Sequence, residues 1–267
     1  EMTFWDHLEV LRGTLIKGVI LILVCSVVIF FFKEPIFEIL LAPQKADFIT
    51  YKVFKHIGSL LSFNNLDDKA FQDSFSIQLV NTQLASQFTI HMKVSFYLAI
   101  MLTSPLLLYL IFKFISPALY QNEKTIAHKI VLSALIMFSV GLLTNYFIIF
   151  PFTFRFLGTY QVSGEIENLI TLSSYISTLL TMTFLIGILF ELPVVCWILG
   201  KFGIIDATLM RKYRRHAIIA ILIVSAIITP TTDVFTLFAV ALPLYLLYEV
   251  SIQIVRITKR KQITQTL

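Results

Sequence analysis

Long apolar runs alternate with short polar segments along the whole chain. Because about 20 apolar residues cross the hydrocarbon core of a bilayer, the long runs predict membrane-spanning helices. The four strongest cover residues 13–32, 94–112, 130–150 and 172–200. The pattern therefore predicts an all-α polytopic membrane protein.

Two shorter apolar runs close the pattern, at residues 217–229 and 234–250, with the turn "TPTTD" between them. Segments of this length either cross as short spans or re-enter on one side. We favour two short transmembrane helices in a tight hairpin, because the turn between them is clear. The prediction is then a single membrane domain over residues 1–267 with six transmembrane helices.

Residues 1–12 follow another pattern, in which Phe4, Leu8 and Leu11 recur at helical spacing and charged residues fall on the other faces. This pattern predicts a cytoplasmic amphipathic helix that rests its apolar face on the bilayer surface. The long segment 33–88 is predicted to be an extracytoplasmic loop with short helices and no independent domain.

Composition agrees with this class, since 57% of the 267 residues are hydrophobic and only 14% are charged. A soluble domain of this length needs far fewer apolar residues. A net charge of +5 is ordinary for a membrane protein and gives no reason to expect a nucleic-acid partner. Cys25 and Cys196 lie in apolar runs, which predicts buried small side chains and no disulfide.

Orientation follows from the excess of Lys and Arg in cytoplasmic loops. The segments on the side of the two termini carry most of these residues, including Lys113, Lys124 and the run "RKYRR". The short loops on the opposite side carry little beyond Arg155. Both termini are therefore predicted to be cytoplasmic.

Known catalytic and metal motifs do not occur in the sequence. It contains no phosphate-binding loop, no H-E-x-x-H spacing and no nucleophile elbow. It also offers no Ser/Lys dyad or paired carboxylates at a shared depth. We therefore expect no enzyme activity, no cofactor and no metal.

Four short motifs in a fixed order resemble the TatC family, the large subunit of the twin-arginine protein translocase. They are "DHLEVLR", "FISPALYQNEK", "FELPVV" and "TPTTDVF". The resemblance implies a receptor for twin-arginine signal peptides in the bacterial inner membrane. It further implies export of folded proteins driven by the protonmotive force, in an oligomeric complex with small single-span subunits of the TatA/TatB type.

Glu123, in "ALYQNE", matches the family acid that contacts the signal arginines. A carboxylate suits this role, because a guanidinium presents a planar fork of donors. A fully exposed pair contributes only about 0–1 kcal/mol, so selectivity needs partial desolvation by Phe114, Pro117 and Tyr120. Phe114 serves equally well as an interfacial anchor.

The resemblance also assigns Leu11, Arg12 and Glu9 of the opening helix to the signal-binding surface. The family acid of this helix falls on Val10 here. Glu9 is adjacent but points roughly 100° around the helix. We therefore expect Glu123 to carry most of the arginine recognition.

A second group of family positions lies within or beyond the membrane. Glu191 sits deep in the fourth span beside Pro193, where a charge costs about 2.5 kcal/mol or more and usually has a function. The open alternative is a neutral acid that ties helices together. Pro43 and Asp233 match family positions on the extracytoplasmic side, although Pro43 could simply end a helix and the motif around Asp233 is one residue longer than usual.

Two other function classes compete with the translocase. A proton-coupled secondary transporter would use Glu191 as its proton site, and we keep it as the alternative. An intramembrane enzyme ranks last, because the sequence lacks a catalytic cluster.

Overall fold

The computed structural model describes residues 4–60, 78–115, 124–160, 169–230 and 233–265. The described helices are α1 (Phe4–Phe31), α2 (Lys33–Leu41), α3 (Ile49–Leu60), α4 (Ser86–Ile115), α5 (Lys124–Thr144), α6 (Phe150–Thr159), α7 (Leu172–Leu189), α8 (Leu192–Lys201), α9 (Ala207–Lys212), α10 (Arg214–Ile228) and α11 (Val234–Gln265). A 3₁₀ turn, Ala42–Gln44, follows α2, and a π turn, Asn145–Ile149, joins α5 to α6.

Four helical stretches of the described chain are long and apolar enough to cross a membrane. They are Glu9–Phe31, Lys129–Thr159, Leu172–Lys201 and Val234–Lys259. The protein is thus a mostly helical, multi-pass membrane protein. Helices α4, of 30 residues, and α10, of 15 residues, complete the predicted six, and their crossing stays a prediction.

Three details differ from the sequence-based picture. Helix α1 runs unbroken from Phe4 to Phe31, so the amphipathic residues are its first turns and not a separate helix over 1–12. Helix α11 extends 32 residues to Gln265, so only the first arm of the predicted hairpin is short. The apolar run ends at residue 250 because one face of the helix becomes polar there. The pattern of apolar runs therefore did not predict the last turns of α11.

The third difference is a pair of parallel strands in a fold expected to be all-α. Strand β1 (Leu79–Val80) pairs with β2 (Ile170–Thr171), with Leu79 opposite Ile170. Two residues are too few for a visible alternating pattern, so the sequence could not show this pairing. The strands join the long segment after α3 to the start of α7.

The molecule has two different ends. We call the end formed by α2, the 3₁₀ turn, α3 and the strand pair the cap. The opposite end, which holds the start of α1 and the C-terminal part of α11, is called the termini end. Between them α7 is central, because it packs on α4 and α5 and its first half contributes Tyr175, Ile176 and Leu179 to the main buried core.

Side-chain hydroxyls donate hydrogen bonds to backbone carbonyls whose usual helical N–H donor is replaced by a proline. Pro151 has no N–H for the carbonyl of Phe147, four residues earlier, and Thr50 of α3 donates to that carbonyl. Pro105 likewise has no N–H for the carbonyl of Met101, four residues earlier. That carbonyl accepts a hydrogen bond from the hydroxyl of Ser104 at 2.7 Å. The prolines are therefore compatible with continuous helices in an apolar environment.

Helices α5 and α7 cross at two glycines. A Cβ on Gly141 would lie 2.8 Å from Cβ of Phe190 and 3.0 Å from Cα of Gly187. Contacts of this kind let two backbones approach closely inside a membrane. The crossing lies at the C-terminal end of α7, because Phe190 is the C-cap residue of this helix.

The glycine crossing predicts that Gly141→Ala destabilises the protein, since the methyl group would meet backbone as well as a side chain. Overpacking of this kind costs typically about 1–3 kcal/mol. Thermal unfolding in detergent should show a lower midpoint than for Gly13→Ala, whose Cβ meets nothing within 4 Å. Equal midpoints for the two variants would contradict close packing at this crossing.

Helix α10 predicts local thinning of the bilayer. Its 15 residues reach about 22 Å at roughly 1.5 Å per residue, against a hydrocarbon core of about 30 Å. Lipids beside α10 should therefore be compressed, whereas lipids beside α11 should not. Molecular simulation or measured lipid thickness around the protein checks this, and a uniform thickness counts against it.

Candidate functional site

The opening turns of α1 expose charged and apolar side chains together. Glu9 and Arg12 are exposed, Leu11 is half-buried and Val10 is 44% exposed. Glu9 and Arg12, both described, form no ion pair with each other. These side chains are therefore accessible to an external ligand.

Helix α1 packs antiparallel along α4, and two contacts fix the register. Gly18 faces Leu107 so closely that a Cβ would lie 2.9 Å from its Cδ2. Toward the cap, the ring of Phe30 stacks on His91 with centroids 4.0 Å apart. Continuing this register, the end of α4 at Ile115 lies level with Val10. The end of α4 therefore lies beside the opening turns of α1.

Several predicted signal-binding residues lie outside the described residues. They are Pro117, Tyr120 and Glu123. The structure describes the backbone of Phe114, in α4, but not its side chain. Their roles stay predictions.

Glu191 lies between α7 and α8, at the interruption of the fourth predicted span. Its carbonyl accepts the amides of Val194 and Val195, both at 3.0 Å, so it begins α8. Pro193 is buried in the first turn of α8, where the lack of an N–H costs nothing. The interruption thus places an acid at a helix junction without leaving the junction's carbonyl unbonded.

The carboxyl group of Glu191 is poorly satisfied within the described structure. Its Oε1 atom is buried and has no hydrogen-bond partner among the described residues. From Glu191, α8 continues for about 15 Å to Lys201 at roughly 1.5 Å per residue, so the acid lies well inside the membrane. An unbonded carboxyl oxygen at this depth is costly and can accept a donor from another molecule.

Asp233 and Pro43 both have structural roles near the cap. The carboxylate of Asp233 accepts the backbone amide of Thr236 at 2.8 Å and its hydroxyl at 2.6 Å, so it caps α11. Pro43 is buried in the 3₁₀ turn, and its carbonyl accepts a bond from Tyr51 at 3.0 Å. Neither residue lies near the opening turns of α1 or near Glu191.

Sequence reasoning missed a polar cluster under the cap. Arg155 was expected in a short loop, but it belongs to α6, is 9% exposed and lies 4.9 Å over the ring of Tyr51. The hydroxyl of Tyr51 is shared between the carbonyls of Pro43 and Pro151. Burial raises the pKa of Tyr51 to about 12, against a smaller lowering by the Arg155 charge.

No local pattern indicates this cluster, because Tyr51 lies about a hundred positions from Pro151 and Arg155 along the chain. It holds α3 against the π turn and α6, which makes the cap a fixed part of the bundle. These contacts attach the cap to the membrane helices at the end of α1 opposite Glu9.

A second missed contact lies at the termini end. Arg214 donates to Glu249 at 2.6 Å, and the hydroxyl of Tyr245 donates to the other carboxylate oxygen at 3.1 Å. Arg214 had been counted only as a cytoplasmic charge. The pair joins the start of α10 to α11 and so positions the short helix.

Comparisons with known proteins agree with one another. A model of the family "Sec-independent protein translocase protein (TatC)" matches residues 6–243. Curated relatives include TatC of Blattabacterium sp. subsp. Periplaneta americana, 34% identical over 95% of both chains. TatC of Deinococcus radiodurans is 32% identical over 95% of this chain and 85% of its own length.

A solved structure is also similar over nearly the full length. The crystal structure of the twin-arginine translocase receptor TatC matches with a TM-score of 0.72 and 30% identity. The match covers 95% of this chain and 99% of that chain. A second crystal structure, of the same receptor in DDM, gives a TM-score of 0.71.

Proposed function

Because the chain belongs to the TatC family of Sec-independent protein translocase proteins, we propose that it is the signal-peptide receptor and core subunit of a twin-arginine translocase. Family membership makes it a multi-pass component of a bacterial translocase and not an enzyme. The proposal adds recognition of twin-arginine signal peptides, export of folded proteins and use of the protonmotive force.

The observation that carries the proposal is the register of α1 on α4. It brings the exposed Glu9 and Arg12 and the half-buried Leu11 level with the end of α4 at Ile115, which precedes Glu123 by eight positions in the sequence. A signal peptide lying across both would meet an apolar surface and carboxylates together. Glu123 would accept two N–H bonds from one guanidinium, which an ammonium cannot provide in the same geometry.

The orientation supports the same assignment. The exposed basic residues of the termini end include Arg12, Arg211, Lys212 and Arg215. The cap also exposes lysines, but Lys52 is paired with Asp47 and Lys45 lines the same cavity as Glu38, and Arg155 is buried. The termini end would then face the cytoplasm of the inner membrane, from which cargo arrives. Small single-span subunits of the TatA/TatB type would complete the complex.

Glu191 would act at a later step than signal recognition. It lies inside the membrane, about 15 Å from the termini end at roughly 1.5 Å per residue. Its buried oxygen could accept a donor from a partner helix or take up a proton. The second candidate function, a proton-coupled secondary transporter, depends on this same atom. Substrate-coupled proton uptake by vesicles that contain this chain alone would favour the transporter.

The first functional prediction concerns arginine specificity. Glu123→Ala should weaken binding of a twin-arginine peptide by at least about tenfold, because hydrogen bonds to charged groups contribute about 1.5–3 kcal/mol. Replacing both signal arginines by lysines should weaken binding similarly. Affinities measured by fluorescence anisotropy decide it, and unchanged values in both tests would remove Glu123 from the site.

A second prediction separates Glu9 from Glu123. Glu9→Gln should cost less than about fivefold in affinity, since Glu9 is exposed and exposed pairs contribute about 0–1 kcal/mol. Glu123→Gln should cost much more, and Val10→Glu should be tolerated, because an exposed carboxylate at position 10 stays hydrated. Equal losses for Glu9→Gln and Glu123→Gln would show that Glu9 has taken the place of the family acid.

A third prediction concerns Glu191. Glu191→Ala should still insert and bind signal peptides with wild-type affinity, but should reduce transport of folded cargo. Exposed Glu34 offers a matched control, and Glu34→Ala should leave transport unchanged. Transport assays with membrane vesicles check this, and a normal transport rate for Glu191→Ala would make the residue purely structural.

A further inference from the structure

Two cavities adjoin on the surface of the bundle near the cap. The deeper one, of about 510 Å³, lies among α4, α5 and α7 and is lined almost entirely by apolar side chains. The outer one, of about 500 Å³, lies beside the end of α2 and the segment 45–49. Both are lined by Ile39, Tyr146 and Phe147, so they form one groove with an apolar part and a polar mouth.

The apolar part matches one leaflet of a bilayer in length. From Leu135 to Tyr146 it follows α5 for about 17 Å at roughly 1.5 Å per residue. Half of a typical hydrocarbon core is about 15 Å. Leu102 and Leu143, which line the groove, are 68% and 55% exposed, so the groove opens toward lipid.

The polar mouth carries one available charge of each sign. Lys45 and Glu38 both line it, are exposed, and take part in none of the ion pairs that the described residues form. Asp47 also lines the mouth, but its carboxylate lies 3.4 Å from Nζ of Lys52. A ligand with one phosphate and one primary ammonium would complement this arrangement.

The neck between the two parts is held by Tyr146. Its hydroxyl donates to the carbonyl of Ile39 at 2.6 Å, which ties α2 to the π turn. A tyrosine at the boundary between an apolar groove and a charged mouth has the position of an interfacial aromatic residue. The neck therefore marks the depth at which a lipid headgroup gives way to its acyl chains.

We propose that this groove binds a phosphatidylethanolamine molecule of the leaflet on the cap side. One acyl chain lies between α4 and α5, the phosphate contacts Lys45 and the ammonium contacts Glu38. The bound lipid would fill the space beside α7 and brace the cap against the membrane helices. This lipid site is separate from the proposed signal-binding surface at the termini end and does not depend on that assignment.

The test is native mass spectrometry of the purified full chain in detergent, with equal amounts of phosphatidylethanolamine and phosphatidylglycerol added. The wild-type protein should retain one phosphatidylethanolamine in preference to phosphatidylglycerol. Lys45→Gln should lower this retention about threefold, as expected for a partly hydrated ion contact. Lys33→Gln, at the exposed start of α2 on the same cap but outside the groove lining, is the matched control and should retain lipid as the wild type does.

A groove-filling variant tests the acyl-chain part independently. Ser139→Phe should reduce retention of both lipids, whereas Leu132→Phe, on the same helix but outside the groove, should not. The two exposed lysine variants keep the test decisive if Ser139→Phe fails to fold. The proposal is overturned if the wild type retains the two lipids equally, or if Lys45→Gln retains as much phosphatidylethanolamine as the wild type. It is also overturned if the groove crosslinks to a single-span subunit in place of lipid.

Discussion

Lipid tails offer no hydrogen bond to a backbone amide or carbonyl, so every such group in the hydrocarbon needs a partner within the protein. This constraint accounts for the continuous helices and for the few places where they change. The carbonyl of Phe147, freed by Pro151, is served by Thr50, and the carbonyl of Glu191 accepts two amides of α8. An acid can therefore sit at a helix junction inside the membrane while its side chain remains open to a partner.

The sequence predicted those parts of the fold that follow from local pattern. Apolar runs located three of the four stretches that are long and apolar enough to cross a membrane, and the first part of the fourth, Val234–Lys259. The order of four motifs identified the family. The sequence did not predict contacts between residues that are far apart along the chain. The contacts of Arg155 with Tyr51 and of Arg214 with Glu249 depend on which helices become neighbours. The periodicity of apolar residues does not indicate which helices are neighbours. The length of α11 was missed because its last turns are amphipathic and not apolar.

The two ends of the molecule differ in the contacts of their polar side chains. The cap is held by tyrosine hydroxyls on backbone carbonyls, among them Tyr175 on Leu40 at 2.9 Å. The termini end instead presents exposed charged side chains on the first turns of α1 and on the start of α10. A fixed cap and an accessible opposite end suit a receptor that takes its ligand from one side. The glycine crossing of α5 and α7 lies next to Glu191 in the sequence, because Phe190, which contacts Gly141, is the preceding residue.

Site-specific photo-crosslinking tests the receptor assignment most directly. A photoreactive residue would be placed at Val10, at Gln121 or, as a control on the cap, at Lys52, and a twin-arginine peptide would be added to the protein in membranes. The account predicts adducts from positions 10 and 121, none from position 52, and loss of the adducts with a twin-lysine peptide. Adducts of equal yield from position 52, or adducts that persist with the twin-lysine peptide, would contradict it.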